Sequence, residues 1–179
     1  MTTHARPSAA DDVTSEERLQ SISVSTEYLG SYRSVNHVRD LPGFNLDEPV
    51  ELGGRNTGPT PLETVLCALN SCTAMIMNIV RKEQRFKMDG VTFTADGVID
   101  VRRVEMKRTG KLYSEVEPIA AHYHQVRQRV VIGTTESDER LARFRADVER
   151  LCPVQRLLSD AKVDFRTEWV RSDAAEADA

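Results

Sequence analysis

The chain has three cysteines, and their settings differ enough to predict different chemistry for each. Cys67 and Cys72 lie in the run PLETVLCALNSCTAM, residues 61–75, and Cys152 lies in RLCPVQRLL. A cysteine can act as a small apolar residue, a metal ligand or a thiolate nucleophile. Which of these applies depends on the elements that hold each thiol.

Residues 61–82 are predicted to form the strongest helix of the chain. Thr60 suits the N-cap, Pro61 suits the first helical position, and Glu63 completes a capping box. Apolar residues cover almost the whole circumference of this helix, so it must be buried on most sides. One sheet in a chain of 179 residues gives too little cover. We therefore predict a homodimer in which two such helices pack together between sheets.

The two cysteines on this helix are poorly placed to pair with each other. Five residues correspond to about 140° of rotation, so Cys67 and Cys72 point to different sides. Cys67 has apolar neighbours and is predicted to be a packing residue. Cys72 lies beside Asn70, Ser71 and Thr73. Polar side chains in an apolar helix are expected to have hydrogen-bond partners or a functional role.

Cys152 is predicted to stand at the start of a short helix over residues 153–160. A helix N-terminus favours the charged thiolate, and Arg150 and Arg156 flank this position. Cys152 also suits a plain cap residue with no chemical role. If the fold brings Cys152 to Cys72, the two thiols form a dithiol that can cycle through a sulfenic acid and a disulfide.

The remaining elements alternate strands and helices in the order β-β-α-β-β-α-α-β. The predicted strands are 18–29, 31–38, 90–104, 118–133 and 162–169, and a further helix spans 137–150. Because strands come in pairs between helices, we expect an α+β fold with antiparallel pairs rather than a doubly wound parallel sheet. In the first strand, Ile22, Val24 and Tyr28 predict one buried face, and residues 31–38 are predicted to be its hairpin partner, with Gly30 at the turn.

The domain organisation follows from composition along the chain. Residues 1–17 and 172–179 are polar and small, which predicts disordered tails around a single domain at 18–171. Residues 39–60 are rich in glycine and proline and predict a long connection that folds over a site. Residues 105–117 predict a charged turn or flexible loop.

Several classes of function are disfavoured by composition. The formal net charge of −4 gives no electrostatic case for binding nucleic acid. No apolar run approaches the ~20 residues that span a bilayer, and no signal peptide is recognised, so we expect a cytoplasmic protein with reduced thiols and no membrane contact. His122 and His124 could share one face of a strand but lack a third ligand, so we expect no metal and no cofactor.

Three stretches of the sequence resemble the OsmC/Ohr proteins. They are LGGRNTGPTPLETVLCALNSCTAM, VIDVRR with the long strand after it, and LCPVQRLL. The order of elements fits this family over about residues 20–170. The resemblance implies an intertwined homodimer in which sheets enclose two central helices. It also implies a thiol peroxidase of the oxidative stress response that favours organic hydroperoxides.

The resemblance also assigns roles to the thiols. Cys72 takes the place of the peroxidatic cysteine, which attacks the peroxide, and Cys152 takes the place of the resolving cysteine. Cys67 matches no functional position of the family. Turnover then needs a cellular dithiol reductant, of the lipoyl type or similar to thioredoxin.

An acid and an arginine complete the site in the peroxidase branch of the family. There a glutamate ten residues before the reactive cysteine pairs with an arginine that activates the thiolate. In this chain Leu62 occupies that position and Glu63 follows it, so Glu63 is assigned to the acid. Arg33, Arg39 and Arg55 all lie upstream of the helix, and Arg55 is chosen among them as the cation. Glu63 also suits a capping box alone.

Two other functions stay open from the sequence. The same fold could hold a small hydrophobic ligand in an apolar interface pocket, with cysteines that are structural or sensory. A hydrolase with a Cys72 nucleophile is the third hypothesis, although no general base is matched to it.

Overall fold

The computed structural model describes residues 19–102, 110 and 121–172. The predicted tails, apart from Ser172, and the start of the predicted strand at 118–120 lie outside these residues, as does most of the predicted loop at 105–117. The chain divides into two compact units, Met1–Gly58 and Pro59–Ala179. The single domain at 18–171 stays a prediction.

The first unit is a small antiparallel sheet. Its strands are β1 (Ser25–Gly30), β2 (Arg33–His37) and β3 (Phe44–Leu46), in the order β1-β2-β3. The predicted hairpin after Gly30 is confirmed, and Ser31 and Tyr32 form its turn with positive φ angles of 51° and 75°.

Two expectations for this unit are wrong. The first strand begins at Ser25 rather than at residue 18, and the side chains of Ile22, Val24 and Tyr28 are exposed in this chain. The connection predicted at 39–60 contains a strand, β3, and a single 3-10 turn at Val50–Leu52. A three-residue strand is too short to give a readable alternation of apolar residues.

A buried carboxylate organises the connection that follows β3. Asp47 is fully buried and accepts hydrogen bonds from the backbone N–H groups of Glu48 (2.9 Å), Arg55 (3.1 Å) and Thr57 (3.1 Å). The Thr57 hydroxyl donates a fourth bond at 2.8 Å. Burial acts to raise the pKa of Asp47, but the bonds from Thr57, Glu48 and Arg55 together hold it below its ordinary value of 3.8. Asp47 is therefore a charged centre that fixes the backbone around it.

The second unit begins with the long helix α1 (Pro61–Gln84), which ends two residues later than predicted. One side of α1 is buried and carries Leu69, Thr73, Met77 and Val80 at helical spacing. The other side is exposed within the chain, with the apolar residues Leu62, Val65, Met75 and Ile79.

The length and composition of α1 correct one expectation. With a mean hydropathy of 1.4, α1 is long and apolar enough to cross a membrane. A single helix of this kind is weak evidence for a membrane protein, because the core helices of soluble proteins have the same composition. In this unit α1 packs into the core through Leu69, Met77 and Val80.

The sheet of the second unit is mixed rather than antiparallel. Its strands are β4 (Gly90–Val98), β5 (Gln125–Gly133) and β6 (Asp164–Ser172), in the order β4-β5-β6. The β4–β5 pair is antiparallel as expected, but β5 and β6 are parallel. The parallel pair is possible because helices α2 (Asp138–Leu151) and α3 (Pro153–Asp160) form the crossover between these strands.

The apolar core of this unit consists of two clusters. The first is centred on Met77, Val130, Phe144 and Val148, and the second on Leu69, Val126 and Leu158. Along α1 the two clusters are separated by Thr73, and along β5 they are separated by Gln128. A buried polar layer therefore divides the core at the level of these two residues.

Candidate thiol site

The N-terminus of α1 is fixed by the predicted capping box. The Thr60 hydroxyl accepts from the Glu63 N–H (3.2 Å), and the Glu63 carboxylate accepts from the Thr60 N–H (2.7 Å). The Tyr123 hydroxyl donates to the Leu62 carbonyl at 2.7 Å, which ties this end of α1 to the segment before β5. These contacts set the rotation of the helix that carries Cys72.

Cys152 stands between two helices. It ends α2, where its N–H donates to the Val148 carbonyl, and it is the N-cap of α3, where its carbonyl accepts from the Arg156 N–H. Pro153 occupies the first position of α3 because its missing N–H costs nothing there. The Cys152 side chain is fully buried.

The fold brings the Cys72 and Cys152 thiols, 80 positions apart in the sequence, close enough for Cys152 to raise the pKa of Cys72. Neither cysteine is in a disulfide, and Cys72 is half-buried whereas Cys152 is buried. The backbone N–H of Val154, in the first turn of α3, also influences the pKa of Cys72. An oxidant that reaches this pair reaches Cys72 first.

The surroundings of Cys72 favour the protonated thiol. Burial raises the pKa of Cys72 above its ordinary value of 9.0, and the hydrogen bond and charge of Cys152 raise it further. The Val154 N–H acts in the opposite direction. A thiolate at Cys72 therefore needs additional stabilisation before it can attack a substrate.

Beside the thiols lies a buried polar network that joins α1, β5 and α3. The Thr73 oxygen accepts from the Nε2 atoms of Gln128 (3.1 Å) and Gln155 (3.2 Å). Gln155 Nε2 also donates to Gln128 Oε1 (3.0 Å), and Gln128 Nε2 donates to Asn70 Oδ1 (3.0 Å). The Thr73 hydroxyl donates to the Leu69 carbonyl at 2.8 Å and lies 3.8 Å from the Cys152 sulfur.

Sequence reasoning identified half of this network. Asn70 and Thr73 were expected to need partners, and both have them in the network, whereas Ser71 is exposed. Gln128 and Gln155 were missed. Gln128 carried a readable signal, because it interrupts the apolar inward-facing positions of its strand. Gln155 has no comparable signal, since a glutamine in the first turn of a helix is commonly a solvent-exposed residue.

The hydrogen bonds of the two residues assigned as activators of Cys72 go to groups other than Cys72. The Glu63 carboxylate is part of the capping box, which is the alternative role that its position suggested. Arg55 belongs to the first unit, where its N–H donates to Asp47 and its side chain is exposed. Their activating roles stay predictions.

One further expectation needs correction. Arg150 and Arg156, expected to support a thiolate at Cys152, pair with the carboxylates of Asp147 (2.9 Å) and Asp160 (3.2 Å). Cys67, expected to be a packing residue in a homodimer, is exposed within the single chain, so its packing role stays a prediction.

Within the part of the chain that the structure describes, His122 and His124 belong to no metal-binding cluster. The rings of His122 and His124 stack with centroids 5.9 Å apart. Across residues 19–102, 110 and 121–172, no three His, Cys, Asp or Glu side chains are grouped closely enough to hold a metal ion.

Comparison with known proteins identifies the family. The model of the OsmC-like protein family matches residues 54–168, so the chain belongs to this family, and the resemblance seen in the sequence is confirmed. No curated protein matches the sequence significantly.

Solved structures agree on the fold. An OsmC-like protein from Mycoplasma pneumoniae is 12% identical, with a TM-score of 0.66 over 86% of this chain and 96% of that one. An organic hydroperoxide resistance protein from Elizabethkingia anophelis is 16% identical (TM-score 0.61; 88% and 99% covered). Another, named OsmC, from Legionella pneumophila is 14% identical (TM-score 0.58; 88% and 100% covered). The α+β OsmC-like fold is thereby confirmed, and the intertwined homodimer stays a prediction.

Proposed function

We propose that the protein is a thiol-dependent peroxidase that reduces organic hydroperoxides with Cys72 and Cys152. The observation that carries the proposal is the proximity of two reduced thiols, one half-buried and one buried. The hydroxyl of Thr73, the residue after Cys72, lies 3.8 Å from the Cys152 sulfur, and Cys152 raises the pKa of Cys72. Two proteins of the same fold are named organic hydroperoxide resistance proteins, which supports this substrate class.

The proposed cycle has three steps. The Cys72 thiolate attacks the terminal oxygen of the hydroperoxide, the O–O bond breaks, and the alkoxide takes a proton and leaves as an alcohol. Cys152 then attacks the sulfenic sulfur of Cys72, forming the disulfide and releasing water. A dithiol, of the lipoyl type or similar to thioredoxin, returns both cysteines to thiols and is itself oxidised to a disulfide.

The first step needs a cation that offsets the raised pKa of Cys72. We assign this role to Arg55, with Glu63 as its acidic partner, from the resemblance to the peroxidase branch. Substitution of Arg55 by leucine should then slow the reaction with peroxide by roughly tenfold or more, and lysine should retain part of the rate. Equal rates in all three proteins would remove Arg55 from the site.

A homodimer is part of the proposal. The exposed side of α1 carries Val65, Met75 and Ile79, and an exposed apolar surface of this kind is typical of a protein–protein interface. A second copy of the same helix would bury it. Light scattering should give a dimer for the wild type, and Met75→Glu should weaken that dimer. We also propose a cytoplasmic location, where thiols are kept reduced.

Peroxide consumption tests the proposed reaction. The wild type, Cys72→Ser and Cys152→Ser are compared with cumene hydroperoxide and hydrogen peroxide, in the presence of a dithiol. We expect faster turnover of the organic substrate, and loss of turnover in Cys72→Ser. Activity no greater than that of a free thiol in the wild type would contradict the proposal.

The second candidate is a non-catalytic or sensory protein that binds a small hydrophobic ligand. It is favoured by the raised pKa of Cys72 and by the commitment of Glu63 to the capping box. A wild type without turnover that still binds an apolar dye at α1 would support this candidate.

A further inference from the structure

The buried polar network offers a hydrogen-bond donor at the sulfur of Cys152. Thr73, Gln128, Gln155 and Cys152 are all 0–2% exposed. Burying polar side chains between two apolar clusters costs free energy unless they are hydrogen-bonded to one another, as these residues are. Gln128 of β5 and Gln155 of α3 both donate to the hydroxyl group of Thr73 on α1. That hydroxyl lies 3.8 Å from the Cys152 sulfur.

The Thr73 hydroxyl has one proton and three acceptors within reach. The proton is donated to the backbone carbonyl of Leu69 (2.8 Å). The side-chain Oε1 of Gln128 (3.5 Å) and the Cys152 sulfur (3.8 Å) lie farther away. Both lone pairs of the oxygen are taken by glutamine N–H groups. Those two bonds polarise the O–H group, and turning the proton from Leu69 to Cys152 loosens one of them, a cost that only a charged sulfur would offset.

Accessibility decides which sulfur of a Cys72–Cys152 disulfide a reductant attacks. Cys72 is half-buried and Cys152 is fully buried, so an incoming thiolate meets Cys72. The new bond then joins the reductant to Cys72, and the bond to Cys152 breaks. Cys152 takes the electron pair and becomes a buried thiolate, the group that most needs a hydrogen-bond donor.

We propose that Thr73, polarised by Gln128 and Gln155, donates a hydrogen bond from its hydroxyl group to the departing Cys152 thiolate when the disulfide is reduced. A charged sulfur accepts a hydrogen bond more strongly than a neutral carbonyl does, so the hydroxyl turns from Leu69 to Cys152. The second thiol of the dithiol then closes its own disulfide and releases Cys72. The inference rests on the disulfide of the proposed function, although it needs no peroxide.

The rate of disulfide reduction tests the inference. The disulfide is formed with diamide, a thiol oxidant, in Cys67→Ser protein, and its reduction by dithiothreitol is followed by acid quenching, alkylation and mass spectrometry. Thr73→Val should slow reduction by at least about tenfold, the size expected for one hydrogen bond to a charged group. Thr73→Ser keeps the hydroxyl and should stay within about threefold of the parent rate. Thr94→Val, an exposed substitution on β4, should leave the rate unchanged.

A second variant separates the chemical role from a structural one. Gln155→Met keeps the Thr73 hydroxyl but removes one of the two N–H groups that polarise it. It should slow reduction by an intermediate factor, and this measurement decides the matter if Thr73→Val does not fold. The deficit depends on the folded network around the buried sulfur, so it should shrink for the denatured protein in urea.

Each outcome has a distinct meaning. Folded Thr73→Val or Gln155→Met that is reduced at the parent rate would overturn the inference alone. A disulfide that forms with diamide but not with an organic hydroperoxide would overturn the proposed peroxidase and leave the inference standing. Failure of diamide to join Cys72 to Cys152 would overturn both.

Discussion

The two buried polar centres of the molecule are built in opposite ways. Asp47 is a charged group whose donors all come from the next ten residues of the chain. The Thr73 centre is neutral, and its partners Gln128 and Gln155 lie 55 and 82 positions away. The first centre shapes one loop, whereas the second joins a helix, a strand and a second helix. A substitution at Asp47 should therefore disturb only the surrounding loop, and acid should disturb the same loop. A substitution in the Thr73 centre should lower the stability of the whole second unit.

The largest effect on stability is expected at the neutral centre. Gln128→Leu leaves one side-chain N–H of Gln155 and the Oδ1 atom of Asn70 without their Gln128 partner, so the free energy of unfolding should fall by about 1–3 kcal/mol in urea denaturation. The control is Gln125→Leu, the same change at the first, outward-facing position of β5, where about 0.5 kcal/mol or less is expected. Equal losses at both positions would contradict the comparison.

At the charged centre the effect should be local. Asp47→Ala removes the acceptor of the Arg55 and Thr57 N–H groups, so hydrogen exchange of these amides should speed up by roughly tenfold or more. The urea midpoint of the second unit should not move. Asp40→Asn changes an exposed carboxylate of the same unit and should leave exchange unaltered. A lowered midpoint in Asp47→Ala would mean that this centre also supports the second unit.

Acid sharpens the same contrast. Because the pKa of Asp47 is lower in the folded chain than its ordinary 3.8, this carboxylate stabilises the loop above that pH. The contribution is lost as the pH falls through the lower, folded value. The Thr57 amide signal in NMR should follow this titration, while the amide groups of Gln128 and Gln155 should keep their signals. A Thr57 midpoint above 3.8 would contradict the assignment.

The smallest effect concerns alkaline pH and the thiol pair. Because the pKa of Cys72 is raised above 9.0, the protonated thiol adds stability below that pH, and the contribution is lost as the pH rises through the folded value. Removing the raising influence of Cys152 in Cys152→Ala should speed alkylation of Cys72 a few-fold at pH 8, measured with iodoacetamide in Cys67→Ser protein. An unchanged rate would mean that burial alone sets the reactivity.

The sequence predicted what local patterns encode. The capping box at Thr60 and Glu63, the helix at 153–160 and the hairpin after Gly30 all depend on neighbouring residues, and all are confirmed. The parallel pairing of β5 and β6 depends on how a crossover packs, which no local pattern reports.

The candidate site shows the same limit. The polar neighbours of Cys72 signalled that partners must exist, but their identity depends on contacts between distant elements. Gln155 could not be identified because its burial results from the packing of α3 against α1 and β5. The packing role of Cys67 stays a prediction, because the second unit covers only one side of α1 and Cys67 lies outside that side.

The most direct test of the account is the redox state of Cys72 and Cys152 after exposure to an organic hydroperoxide. Cys67→Ser protein is treated with one equivalent of cumene hydroperoxide, and the intact mass and the linked peptides are measured without reductant. The account predicts a loss of two hydrogen atoms and a peptide pair joined through Cys72 and Cys152, with no such loss in Cys152→Ser. A protein that stays reduced, or that gains oxygen on Cys72 without forming the disulfide, would contradict it.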